Sequence, residues 1–336
     1  MREDPAVGPP PVRRPGSRGI LLPRSSVARR DLAALVLAAT CWGVGTVISK
    51  AALAEVPPLT LLPIQLTASL VILGVLMRRQ GISFRSGDSP LLGRLGLLNP
   101  GAAYALSLLG LTTITASLSV LLWALEPLLI LVLAATFLHE RITPAFIALS
   151  LTAVAGMVVI VYDPSSSSSQ LIGVALTIAG IGCCAAYSVI TRRWIPDAKE
   201  TSQVILAQQG HALVLAIILV LVVGLAGGAI APSALTPLGL ASAIGSGALY
   251  YAGAYWFYLG ALRHVPASFA AVSFYLIPIV GVAASAVLLG ERLEPRQWVG
   301  AVVVLASILA IIRLPSAAAV ASAPRAAGGD LVPEAD

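Results

Sequence analysis

Apolar runs close to 20 residues long, parted by short polar or proline-containing breaks, fill the chain from residue 32 to residue 313. A helix of that length, rising 1.5 Å per residue, crosses about 30 Å of hydrocarbon. The pattern predicts ten such helices, at 32–54, 58–77, 95–111, 114–138, 145–162, 171–191, 202–223, 237–261, 267–289 and 297–313. The turns between the third and fourth, and between the eighth and ninth, are the shortest.

The same pattern is written twice. Leu98 to Pro144 aligns without a gap on Leu249 to Pro295, at a constant offset of 151 residues. Tyr104 falls on Tyr255, Leu111 on Leu262, Ala116-Ser117 on Ala267-Ser268, Pro127 on Pro278, Glu140-Arg141 on Glu291-Arg292 and Pro144 on Pro295. Further back the offset drifts: Val47-Ile48-Ser49-Lys50 resembles Val189-Ile190-Thr191-Arg192, and Gln65 falls on Gln208. Each copy is then five helices, and an odd number means the second copy enters the membrane from the opposite face. Inverted halves of this kind build sites that open alternately to the two sides of a bilayer. The organisation expected is a disordered tail over 1–30, a five-helix unit over 31–162, a serine-rich joint over 163–170, a second unit over 171–313 and a disordered tail over 314–336.

Composition agrees. Hydrophobic residues make up 58% and charged residues 11% of the chain, with a mean hydropathy of +0.93. Soluble domains carry about 25% charged residues, which excludes that class. The net charge of +6 reports orientation: with a cytoplasmic N-terminus, eighteen of the 21 Lys and Arg fall on the inner side. Lys50, Arg292 and Arg296 alone fall on or near the outer side, as the positive-inside rule requires. Both termini are then cytoplasmic in a cell (inner) membrane, the bilayer is the partner, and nucleic acid is not. The first 30 residues lack the apolar core of a signal peptide. Cys41, Cys183 and Cys184 lie within helices and read as small packing residues. Cys183 and Cys184 point apart on a helix and frame no metal site, so neither metal nor cofactor is expected.

A first helix carrying Trp42-Gly43, then Leu125-Glu126-Pro127 running into Leu138-His139-Glu140-Arg141, resembles the EamA family of the drug/metabolite transporter superfamily. The second copy, from Ala267-Ser268 through Pro278 to Leu289-Gly290-Glu291-Arg292-Leu293, is closer still to the family's wording. The resemblance spans about 31–314. It implies an all-α membrane protein of ten helices, cytoplasmic termini, and a cavity between the two five-helix units through which a small metabolite such as an amino acid is exported or taken up. Many members carry Arg in the second helix, where this chain has Gln65. That departure weakens the case for an anionic substrate held at that position.

Ionisable groups at bilayer depth cost roughly 2.5–3.5 kcal/mol each on insertion scales and mark functional sites. Glu126 is the outstanding one, midway along the fourth helix and directly before Pro127, with apolar Ile277 as its repeat counterpart. Ser119, Trp123 and Glu126 share a helix face. Glu126 is read either as a cavity carboxylate that binds a substrate ammonium or takes up a proton, or as a capping group for backbone freed by Pro127; both readings stand. Tyr251, Tyr255 and Tyr258 form a stripe on the eighth helix, Tyr104 is the mate of Tyr255, and mid-membrane phenols need polar partners that a wet cavity supplies. Tyr275 and Ser273 extend the set. Gln65, Gln208, Gln209 and His211 read first as interhelical hydrogen-bonding groups, with Gln65 also a cavity candidate. Lys50 reads as a snorkelling side chain or a cavity cation. Trp42 and Asn99 match the family pattern for inner helices, with core packing as the plainer reading. Pro127 and Pro278 predict kinks at matched positions.

Three functions fit this pattern: a metabolite carrier using Glu126, Tyr104, Tyr255, Trp123, Tyr275, Lys50, Gln65, Trp42 and Tyr251; a multidrug exporter with a larger cavity; and a non-transporting membrane scaffold. An intramembrane enzyme fits poorly. His139-Glu140 is followed by Thr143 where a second zinc-ligating His belongs, and His264 lies 18 residues from Ser246, about 27 Å along a continuous helix.

Overall fold

The computed structural model describes residues 29–82, 90–138, 143–162, 167–194, 201–232, 234–265, 270 and 273–313. The tails other than Arg29 and Arg30, residues 163–166 of the joint, His139-Glu140-Arg141 and Ala267-Ser268 lie outside the described residues. Regular structure within them is helical. The elements are α1 (Arg29–Ala52), α2 (Pro58–Arg79), α3 (Pro90–Arg94), α4 (Ala103–Leu111), α5 (Ala116–Trp123), α6 (Glu126–Leu138), α7 (Pro144–Val161), α8 (Ser168–Trp194), α9 (Ser202–Leu225), α10 (Pro237–Gly247), α11 (Ala254–Leu262), α12 (Leu276–Leu288) and α13 (Pro295–Arg313).

Local chemistry sets where these helices begin. Proline stands at the first position of α2, α7, α10 and α13, where its fixed φ suits the helix and no amide proton is missed. Thr115, Thr143, Thr201 and Thr236 precede α5, α7, α9 and α10, and each hydroxyl accepts from the third amide of its helix at 3.0–3.3 Å. These caps satisfy donors that the helix itself cannot.

Two of the expected continuous helices are broken, at equivalent places. Residues 95–111 and 237–261 were expected as single runs; instead the backbone widens into a π turn at Leu98–Ala102 and again at Ala248–Gly253. Asn99 there leaves helical geometry (φ −138°, ψ 115°), next to a cis bond to Pro100. The fourth helix of the first half also restarts, at Glu126, so Pro127 is the second residue of a new helix. Its missing amide proton then costs nothing, and the expected mid-helix kink becomes a helix end. In the second half a short 3-10 turn, Ser273–Tyr275, precedes α12, which carries Pro278.

The halves pair about an approximate two-fold. α1 packs on α11 and α12, while its counterpart α8 packs on α4 and α6; α2 meets α9, and α7 meets α13. Glycine permits the closest of these crossings. A Cβ on Gly96 would sit 2.2 Å from the Gln208 carbonyl oxygen, and one on Gly247, its repeat mate, 2.5 Å from the Gln65 Cα and carbonyl oxygen. The second helix of each half is thus clasped by the third segment of the other.

Contacts at the helix ends give the direction of each half. Asp31, at the start of α1, lies 3.1 Å from His264, just past the end of α11. At the far end of α1, the Lys50 Nζ donates to the Leu111 and Thr112 carbonyls at the end of α4, at 2.7 and 3.3 Å. Gly173, near the start of α8, packs on Gly110 and Thr113 at that same end of α4. The second half therefore starts where the first helix of the first half finishes. The bundle thus has an Asp31 end and a Lys50 end.

Six helices among the described residues, counting Ala116–Leu138 as one, have the length and apolarity to cross a membrane. Their outer faces carry bare apolar side chains, including Leu151 at 65%, Leu221 at 59% and Val302 at 63% exposure. Water would penalise such a surface at about 25 cal/mol per Å²; lipid does not. The chain is a multi-pass membrane protein.

Candidate functional site

Between the halves lies a cavity of about 370 Å³, within the range of small-molecule sites. Its walls come from α1 (Trp42, Thr46), the third and fourth segments of the first half (Asn99, Tyr104, Trp123, Glu126, Pro127), α8 (Cys184, Tyr187, Ser188) and the equivalent segments of the second half (Tyr250, Tyr255, Tyr258, Phe274, Tyr275, Ile277, Pro278). Broken helices account for this placement. Backbone released from helical bonding at bilayer depth is tolerated where it lines a cavity or is buried in protein, and each break falls on the cavity wall.

Glu126 is the first residue of α6. A carboxylate there meets the positive end of the helix dipole, and its Oε1 also accepts from the Cys184 thiol on α8 at 2.9 Å. Among the described lining residues it is the one carboxylate, and no Lys, Arg or His joins it. Around it the wall is aromatic. The Trp42 ring meets those of Tyr255, Tyr258 and Phe274 edge-on at 5.4–5.7 Å between centroids. Tyr104 stacks on Trp123 at 5.4 Å and 20°, and meets Tyr250 edge-on at 5.2 Å. The Asn99 Oδ1 is buried here without a hydrogen-bond partner.

Glu126, Tyr104, Tyr255, Trp123, Tyr275 and Trp42 come together in this cavity. Tyr251 does not. It is 2% exposed and packs behind Tyr104, while its neighbour Tyr250 takes the cavity position. The π turn at Ala248–Gly253 explains the exchange, because one extra residue per turn rotates the register by about 100°. Lys50 lies outside the cavity and caps the end of α4. Gln65 is fully buried beside it, donating to the Ser49 and Ser246 hydroxyls at 2.8 Å each. Gln208 and Gln209 hydrogen-bond across helices to Leu92, Tyr187, Ser69 and Tyr251, and the His211 ring meets the Ala207 carbonyl on its own helix.

Sequence reasoning passed over Tyr250, Tyr187, Ser188, Phe274 and the thiol of Cys184. The three on α8 carry a helical signal, since Cys184, Tyr187 and Ser188 are spaced i, i+3, i+4 and share a face.

Fold and site together define a class: a helical membrane carrier assembled from two like halves around a central pocket. Two matches to one family model, that of the EamA-like transporter family, cover residues 30–162 and 171–313. The chain belongs to the EamA-like transporter family, which implies a small-molecule substrate. A solved crystal structure, 18% identical, aligns with a TM-score of 0.57 over 85% of this chain and 98% of that one; this likeness concerns the fold. A comparison with curated proteins returns no match.

Proposed function

We propose that this protein is a secondary carrier that exports a small amphipathic metabolite bearing an amine, an amino acid or related compound, by alternating access of the central cavity between two inverted five-helix halves. Ten crossings, with both termini cytoplasmic in the inner membrane, place the Asp31 end inside and the Lys50 end outside. The observation that carries this reading is the Glu126 carboxylate at a helix N-terminus within an aromatic cavity whose described lining residues include no other carboxylate and no cationic side chain. Such a wall attracts an ammonium through both charge and ring quadrupoles, the latter contributing about 0.5–2 kcal/mol per contact. The volume of about 370 Å³ suits one small metabolite rather than a large xenobiotic. Glu126 also serves as the proton acceptor if flux is proton-coupled.

Untargeted metabolite profiling of cells with and without the gene identifies the cargo, and proteoliposome flux then tests the site. An amine-bearing compound should be depleted from the medium when the gene is lost, and Glu126→Gln should cut its flux and abolish the pH dependence. Unchanged flux at every pH removes the coupling role. A cargo without any amine overturns the substrate class. Cysteines at 126 and 255 that never meet aqueous thiol reagent would leave a scaffold instead of a carrier.

A further inference from the structure

Beyond the aromatic wall lies a second chamber of about 30 Å³. Thr46, Tyr104, Trp123 and Tyr250 line both spaces and so form the partition between them. The helix register gives the chamber's position. On α1 it is reached at Ser49, beyond Thr46; on α4 at Ser107, beyond Tyr104; on α5 at Ser119, ahead of Trp123. Helices α1 and α4 end, and α5 begins, at the Lys50 end, so the chamber lies on that side of the partition.

Its chemistry is fixed by proton accounting. The Ser49 hydroxyl donates to the Gly45 carbonyl and the Ser246 hydroxyl to the Ala243 carbonyl. Each has one proton and has used it, so both can only accept from Gln65. The Gln65 amide nitrogen must therefore face them, and its Oε1 is left over: fully buried and without a partner. The Ser107 Oγ is also buried and unpartnered. Both residues line the chamber. Orphaned acceptors of this kind cost about 1–3 kcal/mol each unless a donor reaches them.

We propose that this chamber is a second station on the transport route, where neutral oxygens of Gln65 and Ser107 receive the N–H groups of a cargo ammonium as the Tyr104–Trp123–Tyr250 partition opens. It rests on the carrier reading above. A carboxylate anchor holds the amine on the inner side, and uncharged acceptors on the outer side hold it more weakly, which favours release. At about 30 Å³ the chamber has room for about two waters, so it takes the cargo's head group only after the partition moves.

Ser107→Cys and, separately, Ser119→Cys are tested in reconstituted chain carrying Cys41→Ala, Cys183→Ala and Cys184→Ser. The probes are membrane-impermeant methanethiosulfonates, one trimethylammonium and one sulfonate. Exposed Ala229→Cys, on the Lys50 end, sets the reference reactivity. Position 107 or 119 should react from the Lys50 end, with a preference for the cationic reagent over the anionic one about tenfold above that at 229, because the unpaired Gln65 oxygen, the negative end of an amide dipole, draws a positive charge and repels a negative one. Inert cysteines at both positions, reaction only from the Asp31 end, or no charge preference overturns the proposal. Glu126→Cys separates the two ideas: reactive 126 with inert 107 and 119 removes only the second station, whereas inert 126 removes the carrier reading itself.

Discussion

Replacing Glu291 by Gln should loosen the Lys50 end of the bundle. The Glu291 side chain, from the loop after α12, reaches the N-terminus of α5 in the other half. Its Oε1 accepts from the Ala116 amide at 2.9 Å, and its Oε2 from the Ser117 amide at 3.0 Å and the Ser117 hydroxyl at 2.9 Å. The Ser285 hydroxyl donates to Oε2 as well. With Thr115 capping the third amide, Glu291 satisfies the first two, so the helix start is fully capped only when the halves are closed together. Burial pushes the Glu291 carboxyl up, but the Ser285, Ser117 and Ala116 hydrogen bonds outweigh it and hold the group below the usual carboxylate range. Glutamine keeps one acceptor oxygen and loses the charge. Two hydrogen bonds at about 1 kcal/mol each plus a charge–dipole contribution of about 0.3–1 kcal/mol give roughly 2–3 kcal/mol. Partial exposure and solvent screening bring this to about 2 kcal/mol, a roughly 30-fold shift away from the state closed at that end. Because the folded-state pKa is depressed, the stabilisation is present above the ordinary carboxylate pKa of about 4.3 and is lost as pH falls through the folded value. Thermal unfolding in detergent, at pH 7 and in steps well below the ordinary carboxylate range, should show Glu291→Gln less stable than the parent at neutral pH, with the two converging once the pH has fallen through the depressed folded-state value. Equal stability at pH 7, or an equal acid response, would refute the clasp.

Gly247→Val should abolish recovery of monodisperse protein, because its Cβ meets Gln65 backbone at 2.5 Å and backbone cannot yield; recovery at parental yield in size-exclusion chromatography would count against the crossing. Lys50→Met should lower the melting temperature, at about 1–2 kcal/mol for two uncapped carbonyls, yet leave the half-saturation concentration for the cargo unchanged. A raised half-saturation concentration with intact stability would instead make Lys50 a cavity cation. Tyr250→Leu should weaken cargo binding by up to about tenfold, from lost ring contacts worth up to about 1.5 kcal/mol, while Tyr251→Leu chiefly lowers stability. The reverse order in equilibrium binding would show that the π turn does not set the register.

The repeat and the long apolar runs were legible in the chain, because each rests on local composition or spacing. Glu126, Tyr104, Tyr255, Trp123, Tyr275 and Trp42 were legible too, as polar or aromatic groups at membrane depth. What was not legible comes from backbone departures and from contacts between distant segments. A straight-helix register selects Tyr251, and the wide turn substitutes Tyr250. Lys50 has no sequence neighbour that announces the α4 carbonyls it caps, and Glu291 none that announces Ala116 and Ser117. Cys184 reads as packing until α6 restarts at Glu126 and brings a carboxylate within reach of the thiol.

The duplication is faithful in scaffold and unfaithful in the pocket, where Glu126 on one wall is answered by Ile277 on the other. A molecule lodged between them meets a polar pole and an oily pole, so it docks with a defined heading instead of tumbling. Mirror-image compounds held between those two poles would turn their remaining substituents toward different aromatic side walls, and those walls supply the third contact that telling left from right requires.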